Sequence, residues 1–304
     1  MHLAAVVSCA VLWPAGLGSA PPAPPASRLR ATHVAGSVHM IDAAPSTDAF
    51  VGGNVAVSVG PDGMFVVDTM VAEFAPELAA VLGGLSDRPI RLVVDTHTHF
   101  DHVGGNRVFA ERAPIAAHAR TRERMLASRL EQKAPPDPAG LPLLALQHPL
   151  TLHLNGEVVE IVPIVSAHSD TDVVVFFRTA KVVHMGDLYF AGAFPYIAAG
   201  GSMGGLIETI ETVLARVPPD ARIIPGHGAL SNVAELRGTL AMLKETRRIV
   251  ADGIRGGVGL EEMKKAKVLR AFDAWAAGNE YFGTDAYLEQ TYKVLQAEPV
   301  VKRN

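Results

Sequence analysis

Short runs rich in Val and Ile, broken by Gly and Pro, alternate along this chain with longer segments whose apolar residues recur at helical spacing. "NVAVSVG", "GMFVVDT" and "IRLVVDT" are apolar runs bounded by turn residues, a pattern that predicts strands. Between the last two, "VAEFAPELAAVLGG" reads as a helix closed by glycines. A strand "APIAAH" and a helix around residues 119–131 come next, then strands "GEVVEIVPIV", "DVVVFF" and "KVVHMGD". A glycine-rich loop leads into the helix "LIETIETVLARV", and "RIIPGHG" supplies one more strand and turn. An amphipathic helix starts at Ser231, with Val233, Leu236, Leu240 and Leu243 on one face, and residues 259–297 read as helical. Strands and helices alternate without a break in composition, which predicts one α/β domain over residues 31–304 with layered packing. Residues 42–54, joining two strand candidates, and the proline-rich residues 131–146 read as long loops of the kind that cover a site.

The first residues break this pattern. "LAAVVSCAVL", followed by small residues up to Ala20, reads as a secretory signal peptide over residues 1–20, and it is too short to span a membrane. The Pro/Ala stretch over residues 21–30 reads as a linker. These two features predict a periplasmic or secreted protein with no stable membrane insertion. Cys9 is the single cysteine, so the mature chain has no thiol, and disulfides and thiolate metal ligands are excluded. A net charge of −4 argues against a nucleic-acid partner and leaves a small-molecule substrate as the expected one.

The candidate chemistry lies in "DTHTHFDHVGGN", residues 95–106. His97 and His99 follow a strand, and residues two apart in extended backbone point the same way, so they can grip one ion together. Asp101 and His102 lie where the chain turns toward Gly104 and Gly105, suited to a second ion beside the first. Further ligands have to come from later strand ends: His168 in "VSAHSDTD", Asp187 in "VVHMGDL" and His227 in "IIPGHG". His118, His148, His153 and His184 lack this spacing and are expected in structural or exposed roles. Phe100 and Phe190 flank the ligands, and Tyr189 and Tyr196 follow Asp187 without a spacing that assigns either to the site.

The ordered set H-T-H-F-D-H, His168 in "SAHSD", Asp187 in "GDL" and His227 in "GHG" resembles the metallo-β-lactamase superfamily over about residues 31–230, and Asp68 in "VVDT" resembles its earlier acidic motif. The resemblance implies a four-layer αβ/βα sandwich with the metal site at one edge, between two sheets. It implies that His97, His99 and His168 hold a first metal, that Asp101, His102 and His227 hold a second, and that Asp187 bridges them. It also implies that Asp68 orients the histidine loop and that Asp101 both ligates and orients a metal-bridging hydroxide. All-N/O ligation suits two Zn²⁺, with Fe or Mn as alternatives. The implied reaction is hydrolysis of a small ester, lactone, thioester or cyclic amide, β-lactams included. A mononuclear iron thiol or persulfide dioxygenase, or a non-catalytic metal-binding periplasmic protein, are the other readings the same fold allows.

Overall fold

Every side chain of "VVVFF", Val173–Phe177, is buried, because both faces of its sheet are covered. The computed structural model describes residues 27–127, 138–276 and 282–297. The expected signal peptide and most of the expected linker lie outside the described residues, as do the last residues of the helix expected at 119–131 and the first of the 131–146 loop. Among the described residues no helix is long and apolar enough to cross a membrane.

Two sheets form the centre. The first holds β1 (Leu29–Ala35), β2 (Val38–Ala43), β3 (Val55–Gly60), β4 (Gly63–Val67), β5 (Ile90–Val94), β6 (Ile115–His118) and β7 (Leu144–Leu146), side by side in chain order. Its first four strands are antiparallel neighbours joined by short connections, and from β4 to β7 the neighbours are parallel. Parallel neighbours need a crossover, and helices supply it: α1 (Ala75–Leu85) before β5, α2 (Phe100–Val103) and α3 (Asn106–Ala110) before β6, and α4 (Thr121–Ala127) before β7. The second sheet holds β8 (Leu150–Leu154), β9 (Glu157–Pro163), β10 (Val173–Phe177), β11 (Val182–His184), β12 (Arg222–Ile224) and β13 (Ser231–Asn232), in the order β13-β12-β11-β10-β9-β8. Helices α5 (Met203–Arg216), α6 (Val233–Arg255), α7 (Leu260–Lys265) and α8 (Thr284–Ala297) complete the chain.

Side-chain alternation separates the layers. Val173, Val175 and Phe177 point inward and meet Val67, Val94 and Phe65 of the first sheet in a shared core, where the rings of Phe65 and Phe177 lie 5.9 Å apart, edge to face. Val174 and Phe176 point outward against Leu206 and Ile210 of α5 and Leu236 and Leu243 of α6. Val55, Val57 and Val93 turn the other way, against Phe74 and Leu78 and Leu82 of α1. The result is the expected four-layer sandwich, helices–sheet–sheet–helices.

The differences from the sequence reading have local causes. β1 begins at Leu29, inside the segment expected to be linker, and pairs with β2 through a hairpin at Gly36. Its alternation is masked by polar residues, with Arg30 and Thr32 on the half-open side. The expected 131–146 loop ends in β7, three residues that follow Pro142 and are held by β6. β8 was not expected although "LTLHL" alternates; it is an edge strand with only one face on the core. Helix α5 starts three residues earlier than its apolar run, because Ser202 Oγ accepts the Gly205 amide. Helix α6 is capped by Asn232, whose Oδ1 accepts the Glu235 amide, leaving Ser231 in β13. The C-terminal region is helical in α7, a 3-10 stretch over Arg270–Trp275, and α8.

Phe177→Ala opens the layer between the sheets, and unfolding by urea is expected to show a loss of about 3–5 kcal/mol. A loss below about 1 kcal/mol would show that the sheets do not share this core.

Candidate metal centre

Five segments that leave C-terminal strand ends deliver the polar side chains to one edge of the sandwich. Asp68 follows β4, residues 95–102 follow β5, His168 follows β9, Asp187 follows β11 and His227 follows β12. The two sheets are tied together there, since the Val173 amide donates to Thr96 O at 2.7 Å.

Asp68 is buried with φ +67°, a left-handed backbone that Asp tolerates better than most residues and that turns its carboxylate under the histidine loop. That carboxylate accepts from the Thr96 amide, the Thr96 hydroxyl and His102 Nδ1, each at 2.7 Å. With Nδ1 committed to Asp68, His102 presents Nε2 to the site. The single Thr96 hydroxyl proton goes to Asp68, so Thr96 Oγ1 accepts from His97 Nδ1 at 3.0 Å, and His97 also presents Nε2. His168 Nδ1 donates to the Tyr196 carbonyl at 2.7 Å and leaves its Nε2 free in the same way.

Two ligand sets result. In the first, His97 Nε2 and His168 Nε2 lie 3.0 and 3.1 Å from His99 Nδ1, and 3.5 and 3.6 Å from Asp187 Oδ2. In the second, His102 Nε2 and His227 Nε2 lie 3.3 Å apart and 3.1 and 3.4 Å from Asp187 Oδ1. Asp101 Oδ2 joins it at 3.2 Å from His227 Nε2. The seven expected ligands thus divide as four and three, each group compact enough to hold one ion.

The donor set fits metal ions. Four ligands at about 2.0–2.1 Å in a tetrahedron stand about 3.3 Å from one another, close to the separations found here. Two further observations agree. With His97 and His168 presenting unprotonated Nε2, His99 Nδ1 has at most one proton to share between them, so the three imidazoles cannot fully satisfy both contacts by hydrogen bonds. Asp187 Oδ1 is buried where no donor reaches it with hydrogen-bond geometry.

Proton affinities follow from the crowding. Burial pushes His97 down to about 3 and His168 well below the usual histidine range, so both are neutral, as ligands must be. Burial acts the same way on His227, yet the charge of Asp187 and the hydrogen bond to Asp101 raise it to about 9. His102 is likewise raised by Asp187, Asp68 and Asp101 against the effect of burial. Burial alone would raise Asp101 and Asp187, but the facing histidines hold both carboxyls below the usual range.

The loop between β2 and β3 covers the second set, in line with the expected role of residues 42–54. The Gly53 amide donates to Asp101 O at 2.9 Å, the Asn54 amide to Gly226 O at 2.7 Å, and the Asn54 side chain to Pro225 O and Gly228 O. Gly53 and Gly226 are required by close approach. A Cβ at Gly53 would lie 2.1 Å from His102 Cε1, and one at Gly226 2.1 Å from Asp187 Oδ1. Phe190 stacks on His227 at 5.1 Å, and Phe50, half exposed, lies over His227 and Phe100. Tyr196 faces His99 and His168 at 6.1 Å, whereas Tyr189 is buried with its hydroxyl 2.7 Å from Ser231 Oγ. His99 and His227 are the partly exposed ligands, and they mark the open side of the site.

His118, His148, His153 and His184 take structural or exposed roles, as expected. His148 and His153 are exposed, and His118 accepts the Arg120 amide. His184 is buried and structural, donating to Asn54 O and accepting the Gly186 amide, so it joins the two loops that carry Gly53 and Asp187. Sequence reasoning missed Thr96, Asn54, Gly53 and the Tyr196 carbonyl. Only "GGN" at 52–54, a turn signature inside an apparent loop, offered a signal for any of them.

Residues 49–227 match the family model of the metallo-beta-lactamase superfamily. The chain belongs to the metallo-β-lactamase superfamily. A metallo-beta-lactamase from Pontibacter korlensis is similar in structure, with a TM-score of 0.60 at 20% identity over 71% of this chain and 99% of its own. VMB-1, crystallised at pH 5.5, is similar at a TM-score of 0.58 and 17% identity over 72% and 98%. No curated protein sequence matches the chain significantly. The fold is therefore that of the superfamily, and it carries a His/Asp cluster that could bind metal.

Two outcomes are expected of the site. Asp68→Asn keeps the shape of the side chain but removes the carboxylate that fixes His102, and zinc affinity at the second set should fall about 10–100-fold. A chelator competition showing unchanged affinity would contradict the assigned role. Acidification should also weaken zinc binding. His227 holds its proton below about 9 and must release it to ligate, so affinity should drop about tenfold per unit for each proton displaced as pH falls from 8 to 6. Zinc titrations at pH 6, 7 and 8 measure that slope, and a flat profile would refute it.

Proposed function

We propose that this chain is an exported dinuclear zinc hydrolase that cleaves a small ester, lactone, thioester or cyclic amide, with β-lactams among its substrates. One observation carries the reading. The two oxygens of Asp187 are divided between the two ligand sets, Oδ2 beside His97 and His168 and Oδ1 beside His102 and His227. A mononuclear centre would need only the first set, and the second is built with equal care. When bound, a pair of divalent ions supplies a water acidified to near neutrality and a Lewis acid for the substrate carbonyl. The all-N/O ligand set suits zinc, with iron or manganese as the alternatives to measure.

The residues of the chain supply the rest. Asp101, held ionised by His102 and His227, is placed to orient the attacking water. Phe50 and Phe100 on one side and Tyr196 on the other give the open side apolar walls, which suit an uncharged acyl group. Export rests on the apolar run and small residues of the N-terminus, and the mass of the protein recovered from the periplasm tests it.

The first experiment is hydrolysis of a chromogenic cephalosporin by purified protein, with metal content measured on the same sample. Two zinc ions per chain and chelator-sensitive turnover at kcat/KM of about 10⁴ M⁻¹s⁻¹ or more support a β-lactamase. Two zinc ions without turnover direct the assay to lactones, thioesters and esters, whereas one iron with oxygen uptake in the presence of a thiol replaces the reading altogether. Asp101→Ala should lose at least about 10²-fold in turnover while the fold survives. His118→Ala should keep its rate, and a large loss there would show that the histidines have been divided wrongly.

A further inference from the structure

The chain from Phe194 to Ser202 runs across His168 and is fastened to it along its length. The Ala198 amide donates to His168 O at 2.7 Å, the Ser202 amide to Ala167 O at 2.8 Å, and His168 Nδ1 donates to Tyr196 O at 2.7 Å. The other side of this crossing segment is held by the C-terminal helices. Gln290 of α8 donates from Nε2 to Pro195 O at 3.2 Å and accepts at Oε1 from the Ile197 amide at 3.0 Å. The Phe194 amide donates to Trp275 O, and the Phe194 ring stacks on Tyr287 at 4.0 Å and 11°.

We infer that Gln290 is a positioning residue for the metal centre: its carboxamide brackets Tyr196 on both sides, fixes the Tyr196 carbonyl, and through it holds His168 with Nδ1 protonated and Nε2 turned to the first ligand set. The polarity of the partners makes the requirement specific. Pro195 O can only accept and Ile197 N–H can only donate, so the side chain must carry one donor and one acceptor in a planar fork. A carboxylate supplies only the acceptor and an aliphatic side chain neither. The Tyr196 ring at the open side of the site is placed by the same two bonds. Gln290 lies beyond residue 227, where the match to the family model ends. The role rests on the metal-binding reading of the site, and the test separates the two.

The test compares full-length wild type, Gln290→Ala, Gln290→Glu and Lys293→Ala, the last an exposed change on the same helix whose partner is Glu289. In metal-free protein, nitrogen NMR of the histidine rings reads the His168 tautomer, assigned by the signal lost in His168→Asn. Titration with Co²⁺ then reads affinity and the visible spectrum of the first set. Wild type and Lys293→Ala should show Nδ1 protonated at His168. Gln290→Ala should show mixed tautomers, an altered cobalt spectrum and affinity weaker by about 10–100-fold, with circular dichroism unchanged. Should Gln290→Ala fail to fold, Gln290→Glu, which keeps the acceptor for Ile197, carries the comparison and should fall between. A folded Gln290 variant with the wild-type tautomer and affinity overturns the inference. If wild type binds no Co²⁺, the metal reading fails, and the tautomer alone decides whether Gln290 positions His168.

Discussion

The carboxylate of Asp187 lies buried between four imidazoles, with one oxygen that no donor reaches in hydrogen-bond geometry. Burying an ionised carboxylate costs several kcal/mol unless partners replace the lost water. Asp68, on the far side of the His102 ring, meets that cost with three hydrogen bonds at 2.7 Å. Asp187 does not meet it in the same way, and of the four imidazoles around it those of His97 and His168 turn unprotonated nitrogens inward. A cluster of acceptors aimed at one another is stable only around positive charge. The raised proton affinities of His102 and His227 answer to it, and the separations within both sets also match those of ligands around one ion.

That constraint reaches outward through the fold. Each ligand needs its far nitrogen or its backbone held, and each holder sits on a different element. Asp68 hangs from the end of β4 in a left-handed conformation, Thr96 links it to His97 and to β10, and His184 joins the Gly53 loop to the turn of Asp187. Gly53 and Gly226 are two places where backbone comes against the ligand side chains so closely that no side chain fits. The apolar layer between the sheets serves the site by fixing the relative position of the strand ends, since it contains Val67, Val94 and Ile224, the residues just before Asp68, Asp95 and the His227 turn.

How much of this was readable beforehand depended on what each residue answers to. The candidate ligands stood out because His and Asp recur after strand ends, His97 with His99 and Asp101 with His102 at close spacing, and the structure gathers the seven residues that the family resemblance implied into two groups that could each hold an ion. The central strands were legible because both their faces are buried and their runs are continuously apolar. β1, β7 and β8 were not, since edge strands bury one face or less and their pattern dilutes into that of loops. Residues that act through a backbone group were invisible: the Tyr196 carbonyl and the Gly53 amide carry no side-chain signature. Tyr189 and Tyr196 illustrate the difference, as both follow Asp187 closely and only three dimensions show that one is core and the other faces the ligands.

The C-terminal helices extend the same logic. A ligand that follows a strand inherits its position from the sheet, but its ring can still rotate and its proton can sit on either nitrogen. For His97 and His102 the answer lies within the histidine loop and Asp68, all inside the first half of the chain. For His168 it lies in a carbonyl on an irregular crossing segment, and irregular backbone holds an angle only if something rigid grips it. Its bonds toward the second sheet go to Ala167 and His168, themselves irregular residues beyond the end of β9. Helix α8 can grip the segment, since Tyr287 anchors the helix to α6 through Thr246 and Leu288 anchors it in the outer core. Residues after 227 are therefore coupled to the geometry of the first ligand set. The site that residues 68 to 227 outline thus draws on α8, through Tyr196, for the proton on one histidine.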